Sequence, residues 1–125
     1  MKTNHDFLGE EAAADDEDIV VVTVPVEEST SYIQGTADAP GAILDASRQI
    51  ELYDISSGTD LEGSGIGTIH SGARTLDELS GFISREKEAL RSRFACFVGG
   101  EHSITPVILE KMEYGDIGIV WLDAH

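Results

Sequence analysis

The chain has 125 residues, enough for one small domain, and 41% of them are hydrophobic, enough for a core. Its 24 acidic residues against 8 basic ones leave a formal net charge of −16, which excludes the basic face that nucleic acid or an anionic membrane would require. The same field would draw cationic ligands inward, but with only three lysines (Lys2, Lys87, Lys111) a solvated surface adapted to high salt accounts for the acidity more simply than a functional patch does.

Residues 1–18 form a polar, acidic arm in which Glu10, Glu11, Asp15, Asp16, Glu17 and Asp18 crowd together. Like charges at that density oppose compaction, so a flexible arm is expected, with a short helix over 7–14. The start of the chain lacks the basic-then-apolar order of a signal peptide. The apolar stretch Ile19-Val20-Val21-Val22 is far too short to cross a bilayer. A single cysteine, Cys96, rules out an intrachain disulfide, and with the missing leader it fits a reducing, cytoplasmic setting.

Residues 19–24 are a β-branched run ended by Pro25. Continuous apolarity without alternation predicts a strand buried on both faces, as in a parallel sheet. A loop rich in Ser, Thr and Gly follows to Pro40. Ala39-Pro40-Gly41 opens a predicted helix through Ile50, with Ile43, Leu44, Ser47 and Ile50 on one face. Residues 51–53 read as a short strand or an extended link. Residues 56–72 hold five glycines and predict an irregular connection crossed by a short strand near 66–69. The clearest helix spans 75–93. Thr75 and Glu78 suggest a capping box, Leu76, Leu79, Phe82, Ile83 and Leu90 form an apolar stripe, and Arg91 and Arg93 suit the negative C-terminal end. Residues 94–98 predict a buried strand with Cys96 as a small interior residue. A short helix over 103–112, a turn at Tyr114-Gly115-Asp116 and a buried strand over 117–122 complete the series. Strand and helix alternate, which predicts a three-layer α/β/α fold with a parallel sheet and right-handed crossovers.

Ligands of open α/β sheets bind beyond the carboxyl ends of the strands. His102 lies just past one predicted strand, and Asp123 and His125 lie at the end of the next. Side chains two apart in extended backbone point the same way, so Asp123 and His125 can serve one site, with small Ala124 facing away. Imidazoles with a carboxylate and no thiolate suit Mn, Fe, Co, Ni or Zn, and carboxylate enrichment leans toward Mn. A carboxylate can bridge two ions, and an ion pair can generate and orient hydroxide at neutral pH. Each residue alone has an ordinary structural reading. A histidine after a strand is usually a satisfied polar group, an aspartate at a strand end a turn former, and Gly99-Gly100 a tight turn. Glu101 reads as a supporting or surface group, not a ligand. The recurrence at successive strand ends is what points to a metal site.

At these residues the chain resembles the ureohydrolase family of arginases and agmatinases. Gly99-Gly100-Glu101-His102-Ser103 is similar to that family's first metal motif, and Asp123-Ala124-His125 to the start of its second. Val24-Pro25, the stretch Ser29-Thr30-Ser31-Tyr32-Ile33-Gln34-Gly35-Thr36, and then Pro40, Ala42-Ile43 and Ala46-Ser47 are similar to the loop and helix of the agmatinase branch, as is Glu51-Leu52-Tyr53-Asp54. The resemblance runs from about Ile19 to the end and implies that residues 19–125 are the N-terminal part of an arginase-like domain. It implies a hydrolase that uses two Mn ions to direct hydroxide at a guanidinium carbon, releasing urea and a primary amine; agmatine would give putrescine. Carried over by position, His102 binds one Mn2+, His125 the other, and Asp123 bridges both.

The small cationic guanidino substrate is then the partner, and the full-length enzyme is expected to form homo-oligomers. The acid that closes the second motif, a later Asp-X-Asp motif and a proton-transferring histidine are expected beyond His125. The 125 residues alone are therefore expected to bind Mn2+ weakly and to show no turnover. Glu27-Glu28 stands where the family has an Asp-containing piece, and Ala37-Asp38-Ala39 where it has an Arg-containing one, which leaves the substrate open. His70 falls where the family often has an acidic element and reads as a surface or packing residue. Another guanidino or formimino hydrolase of the same family, or a non-catalytic truncated remnant, are the competing readings.

Overall fold

A computed structural model describes residues 6–9, 17–62 and 65–124. In chain order these are β1 (Ile19–Val24), α1 (Ala39–Ser47), the small pair β2 (Tyr53–Asp54) and β3 (Thr59–Asp60), β4 (Ile66–His70), α2 (Leu76–Arg91), β5 (Phe94–Gly99) and α3 (Ile104–Met112). The strands β4-β1-β5 form a parallel sheet with β1 in the middle, while β2 and β3 form a separate antiparallel ribbon. Helices cover the sheet, so the α/β class expected from the alternating pattern is the class observed.

The β-branched run of β1 is central because it can be buried on both faces. Val20, Val22 and Val24 point into the main core, against Leu79, Ile83 and Leu90 of α2 and Ile104, Ile108 and Met112 of α3. Val21 and Thr23 face the other way and are also buried. Parallel register sets Val22 between Ile69 and Phe97, and Thr23 between His70 and Val98. The carboxyl ends of all three strands therefore lie level, and that edge carries the candidate site.

α2 begins where its sequence signal placed it. Thr75 is extended (φ −125°, ψ 161°), and its side chain accepts from the Glu78 N–H at 3.1 Å. The Glu78 carboxylate accepts from the Arg74 N–H at 2.7 Å, one residue earlier than in a reciprocal capping box. Glu28, from the loop after β1, accepts from the Leu76 N–H at 2.6 Å and so satisfies a further orphan donor of the first turn.

Several elements differ from the sequence expectation. α1 ends at Ser47 instead of Ile50. Ser47 Oγ donates to the Leu44 carbonyl at 2.6 Å and accepts from the Leu8 N–H at 2.9 Å. Such a side chain competes with the helix for backbone partners, and Ile50 is left exposed. Cys96 is exposed, not interior. It shares a face of β5, an edge strand of the sheet, with Phe94, which is 71% exposed. Among the described residues, no ladder includes 117–122, and Ile117, Ile119, Val120, Trp121 and Leu122 are all exposed. Strand composition alone does not make a strand; it needs a paired edge and a covered face. Of the N-terminal arm, residues 10–16 lie outside the described residues. Asp6 to Gly9 rests on the body, with the Phe7 N–H donating to Thr68 Oγ1 at 2.9 Å. No described helix is long and apolar enough to cross a membrane.

Candidate metal centre

The site edge is built where the chain leaves β1 and β5. The N–H groups of Val26 and Gly100 both donate to the Val24 carbonyl, at 2.8 and 3.1 Å, so the two exits are drawn onto one point. Gly100 has to be glycine there. A Cβ would come within 2.3 Å of the Val26 carbonyl oxygen and 3.1 Å of the Thr36 carbonyl oxygen, both backbone atoms. The paired glycines of the motif thus mark a close approach between the turn after β5 and the loop after β1.

Glu101 follows and spends its carboxylate on that loop. Its Oε2 accepts from the Glu28 N–H at 3.1 Å and the Ser29 N–H at 2.9 Å. Its Oε1 accepts from Ser29 Oγ at 3.1 Å and from the neighbouring Ser103 hydroxyl. The Ser103 hydroxyl above all, opposed by burial and helped by the bonds from Ser29 and Glu28, holds this carboxyl below the usual glutamate range. Glu27 does the same at the far end of the loop. It accepts from the Gly35 N–H at 2.7 Å, the Ala37 N–H at 3.4 Å and Thr30 Oγ1 at 3.3 Å, and its carboxyl is lowered chiefly by the Gly35 amide. The pair Glu27-Glu28 that stands out in the sequence as a departure from the family pattern thus binds backbone amides. Carboxylates flanking a Ser/Thr/Gly loop were the available signal for this role.

His102 sits in the turn before α3 with a largely exposed side chain. Its Nδ1 is 3.7 Å from Asp123 Oδ2, too long for a hydrogen bond, so the imidazole and the mostly buried carboxylate stand side by side. Trp121 braces both. Its Nε1–H donates to Asp123 Oδ2 at 3.1 Å, and its ring lies 5.8 Å from the His102 ring at 57°. Sequence alone assigned Trp121 no role at the site; an indole two residues before the aspartate is the cue that was available. His125 lies outside the described residues. Among the described residues, no group of three His, Cys, Asp or Glu side chains is assembled for a metal. What is assembled is one imidazole and one carboxylate, a nitrogen–oxygen donor pair of the kind Mn2+ accepts. His70 takes a packing role: its Nδ1 meets Thr23 Oγ1 at 3.1 Å and its Nε2 lies 3.4 Å from Asp6 Oδ1.

A sequence model of the Arginase family matches residues 17–125. The chain belongs to the arginase family. It is 32% identical to an N(1)-aminopropylagmatine ureohydrolase of Synechocystis sp., over 95% of this chain and 44% of that protein. It is 25% identical to an agmatinase of Bacillus anthracis, over 95% of this chain and 43% of that protein. The solved structure of agmatine ureohydrolase of Thermoplasma volcanium matches with a TM-score of 0.71 at 25% identity, covering 81% of this chain and 36% of that one. The chain therefore spans less than half the length of these relatives. Arginase-family enzymes are ureohydrolases that generally depend on two metal ions, and in this member the two-glycine turn, His102 and Asp123 lie together at the carboxyl ends of the sheet.

Proposed function

We propose that this chain is the N-terminal part of a manganese-dependent ureohydrolase that hydrolyses agmatine to putrescine and urea. The observation that carries the reading is the approach of the His102 imidazole to the Asp123 carboxylate at the strand-end edge, in a chain matched to the arginase family over residues 17–125. His102 and Asp123 would hold the metal, with His125 as the further ligand. Bound ions of this kind lower the pKa of water and so supply a nucleophile at neutral pH.

The chain's own residues supply placement. Trp121 donates to one oxygen of Asp123 and fixes the rotation of the carboxylate. The turn Gly99-Gly100 carries His102 to the same edge. The net charge of −16 favours approach of a cationic guanidinium over an anion.

The test is urea release from agmatine with added Mn2+, measured on the full-length protein that carries these residues. His102→Ala and Asp123→Ala should each abolish turnover with the circular dichroism spectrum unchanged; normal turnover in either defeats the reading. A second substrate, N(1)-aminopropylagmatine, is favoured by the higher identity to a relative of that name, 32% against 25% for the agmatinase. The ratio of kcat/KM for the two substrates decides between them, and absence of urea from both, or from any other guanidino compound, would leave a non-catalytic remnant.

A further inference from the structure

Glu101 receives four hydrogen bonds, three of them from Glu28 and Ser29, which lie across the site edge in the loop after β1. The fourth comes from Ser103, the residue after His102. His102 is thus flanked by the carboxylate that grips the loop and by the hydroxyl that grips the same carboxylate. The loop's other end is fixed by Glu27, through the Gly35 and Ala37 amides. Gly100 packs beneath against the carbonyls of Val26 and Thr36. We propose that Glu101 is a positioning residue, which locks the loop after β1 to the turn bearing His102 and sets that imidazole for metal, by the reach of its two acceptor positions and not by its charge or by touching the ion. The claim about the loop stands on the contacts alone; the claim about the ion rests on the reading under Proposed function.

The hydrogen-bond chemistry separates this role from that of a ligand. One oxygen faces two backbone N–H groups, which can only donate; the other faces two hydroxyls, which can donate or accept. A glutamine can turn its carbonyl to the amides and its NH2 to the hydroxyls and preserve every contact. A ligand or a charge-dependent group would not survive that exchange. Alanine loses all four bonds.

The experiment compares wild type, Glu101→Gln and Glu101→Ala by amide hydrogen exchange at Glu28 and Ser29. In parallel, Mn2+ is titrated and followed by paramagnetic broadening of the His102 imidazole resonances, a readout that tolerates weak binding. Glu101→Gln should stay within about threefold of wild type in both. Glu101→Ala should exchange at least about tenfold faster at both amides and need about ten to a hundred times more Mn2+ for equal broadening. Should Glu101→Ala fail to fold, the double variant Ser29→Ala/Ser103→Ala, which strips the hydroxyl side alone, should give intermediate exchange. Equal damage from glutamine and alanine would overturn the proposal, as would unchanged exchange in Glu101→Ala or in the double variant. If Mn2+ leaves the His102 resonances of the wild type untouched, the metal reading fails, and with it the positioning of His102 for the ion, while the exchange rates still decide whether Glu101 holds the loop.

Discussion

Replacing Gly100 by alanine probes the join that brings the two halves of the site together. The added Cβ would sit 2.3 Å from the Val26 carbonyl oxygen, about 1 Å inside the 3.4 Å where ordinary contact begins, and 3.1 Å from the Thr36 carbonyl oxygen. Both are backbone atoms, so no side-chain rotation relieves the overlap. Val26 is itself fully buried, and its N–H is tied to the Val24 carbonyl at 2.8 Å. The loop and the turn must part, which breaks the Gly100 N–H bond to Val24 and stretches the contacts of Glu101 to Glu28 and Ser29. Overpacking of this kind costs about 1–3 kcal/mol, and the lost hydrogen bond adds about 1 kcal/mol, so a total of about 2–4 kcal/mol is expected. Gly99→Ala is the matched control. Its Cβ would meet only the Cδ1 end of the Ile104 side chain at short range, which can change rotamer, so a smaller loss, about 1–2 kcal/mol, is expected. Gly41→Ala, in open space within α1, should be neutral or should stabilise by about 0.5 kcal/mol. Urea denaturation of the three variants gives the ranking. A Gly100→Ala protein within about 0.5 kcal/mol of wild type, or less affected than Gly99→Ala, would refute the claim that this glycine is fixed by backbone approach.

Further outcomes follow from the packing and the carboxylates. Leu90→Ala, at a fully buried position where α2 meets the sheet, should lose about 2–5 kcal/mol by urea denaturation, whereas Leu122→Ala, at 90% exposure, should change stability by less than about 0.5 kcal/mol. Thr75→Ala removes the acceptor for the Glu78 N–H and should cost about 1 kcal/mol, visible as faster amide exchange in the first turn of α2; unchanged exchange there would remove Thr75 as its cap. Glu27 is held below the ordinary glutamate value of 4.5, chiefly by the Gly35 amide it accepts from. Its contribution is therefore complete above that value and lost as pH falls through the lower folded value. Exchange at Gly35 should rise as pH is taken from about 6 to about 3, after correction for intrinsic rates, and a flat profile would mean that the ionised Glu27 carboxylate does not hold its end of the loop.

The sequence was sufficient wherever local chemistry and burial agree. Six β-branched and apolar residues without alternation can satisfy only an interior strand, and β1 lies at the centre of the sheet. Thr75, Glu78 and the stripe through Leu90 specify α2 almost to the residue, because a cap and a 3.6-residue period are properties of neighbouring positions. That His102 and Asp123 approach one another was expected from two successive strand ends, but only His102 follows a strand; the segment 117–122 that brings Asp123 there lies outside the sheet. Tertiary structure alone decided the rest. Cys96 sits in an apolar run but is exposed on an edge strand, and the exposure of residues 117–122 depends on which edges are paired, which no local pattern encodes. Glu27, Glu28 and Glu101 read as excess charge in one dimension. Their roles as acceptors for amides as far as 73 positions away exist only once the exits of β1 and β5 converge on the Val24 carbonyl, because a hydrogen bond requires approach within about 3 Å, and sequence distance does not report that approach.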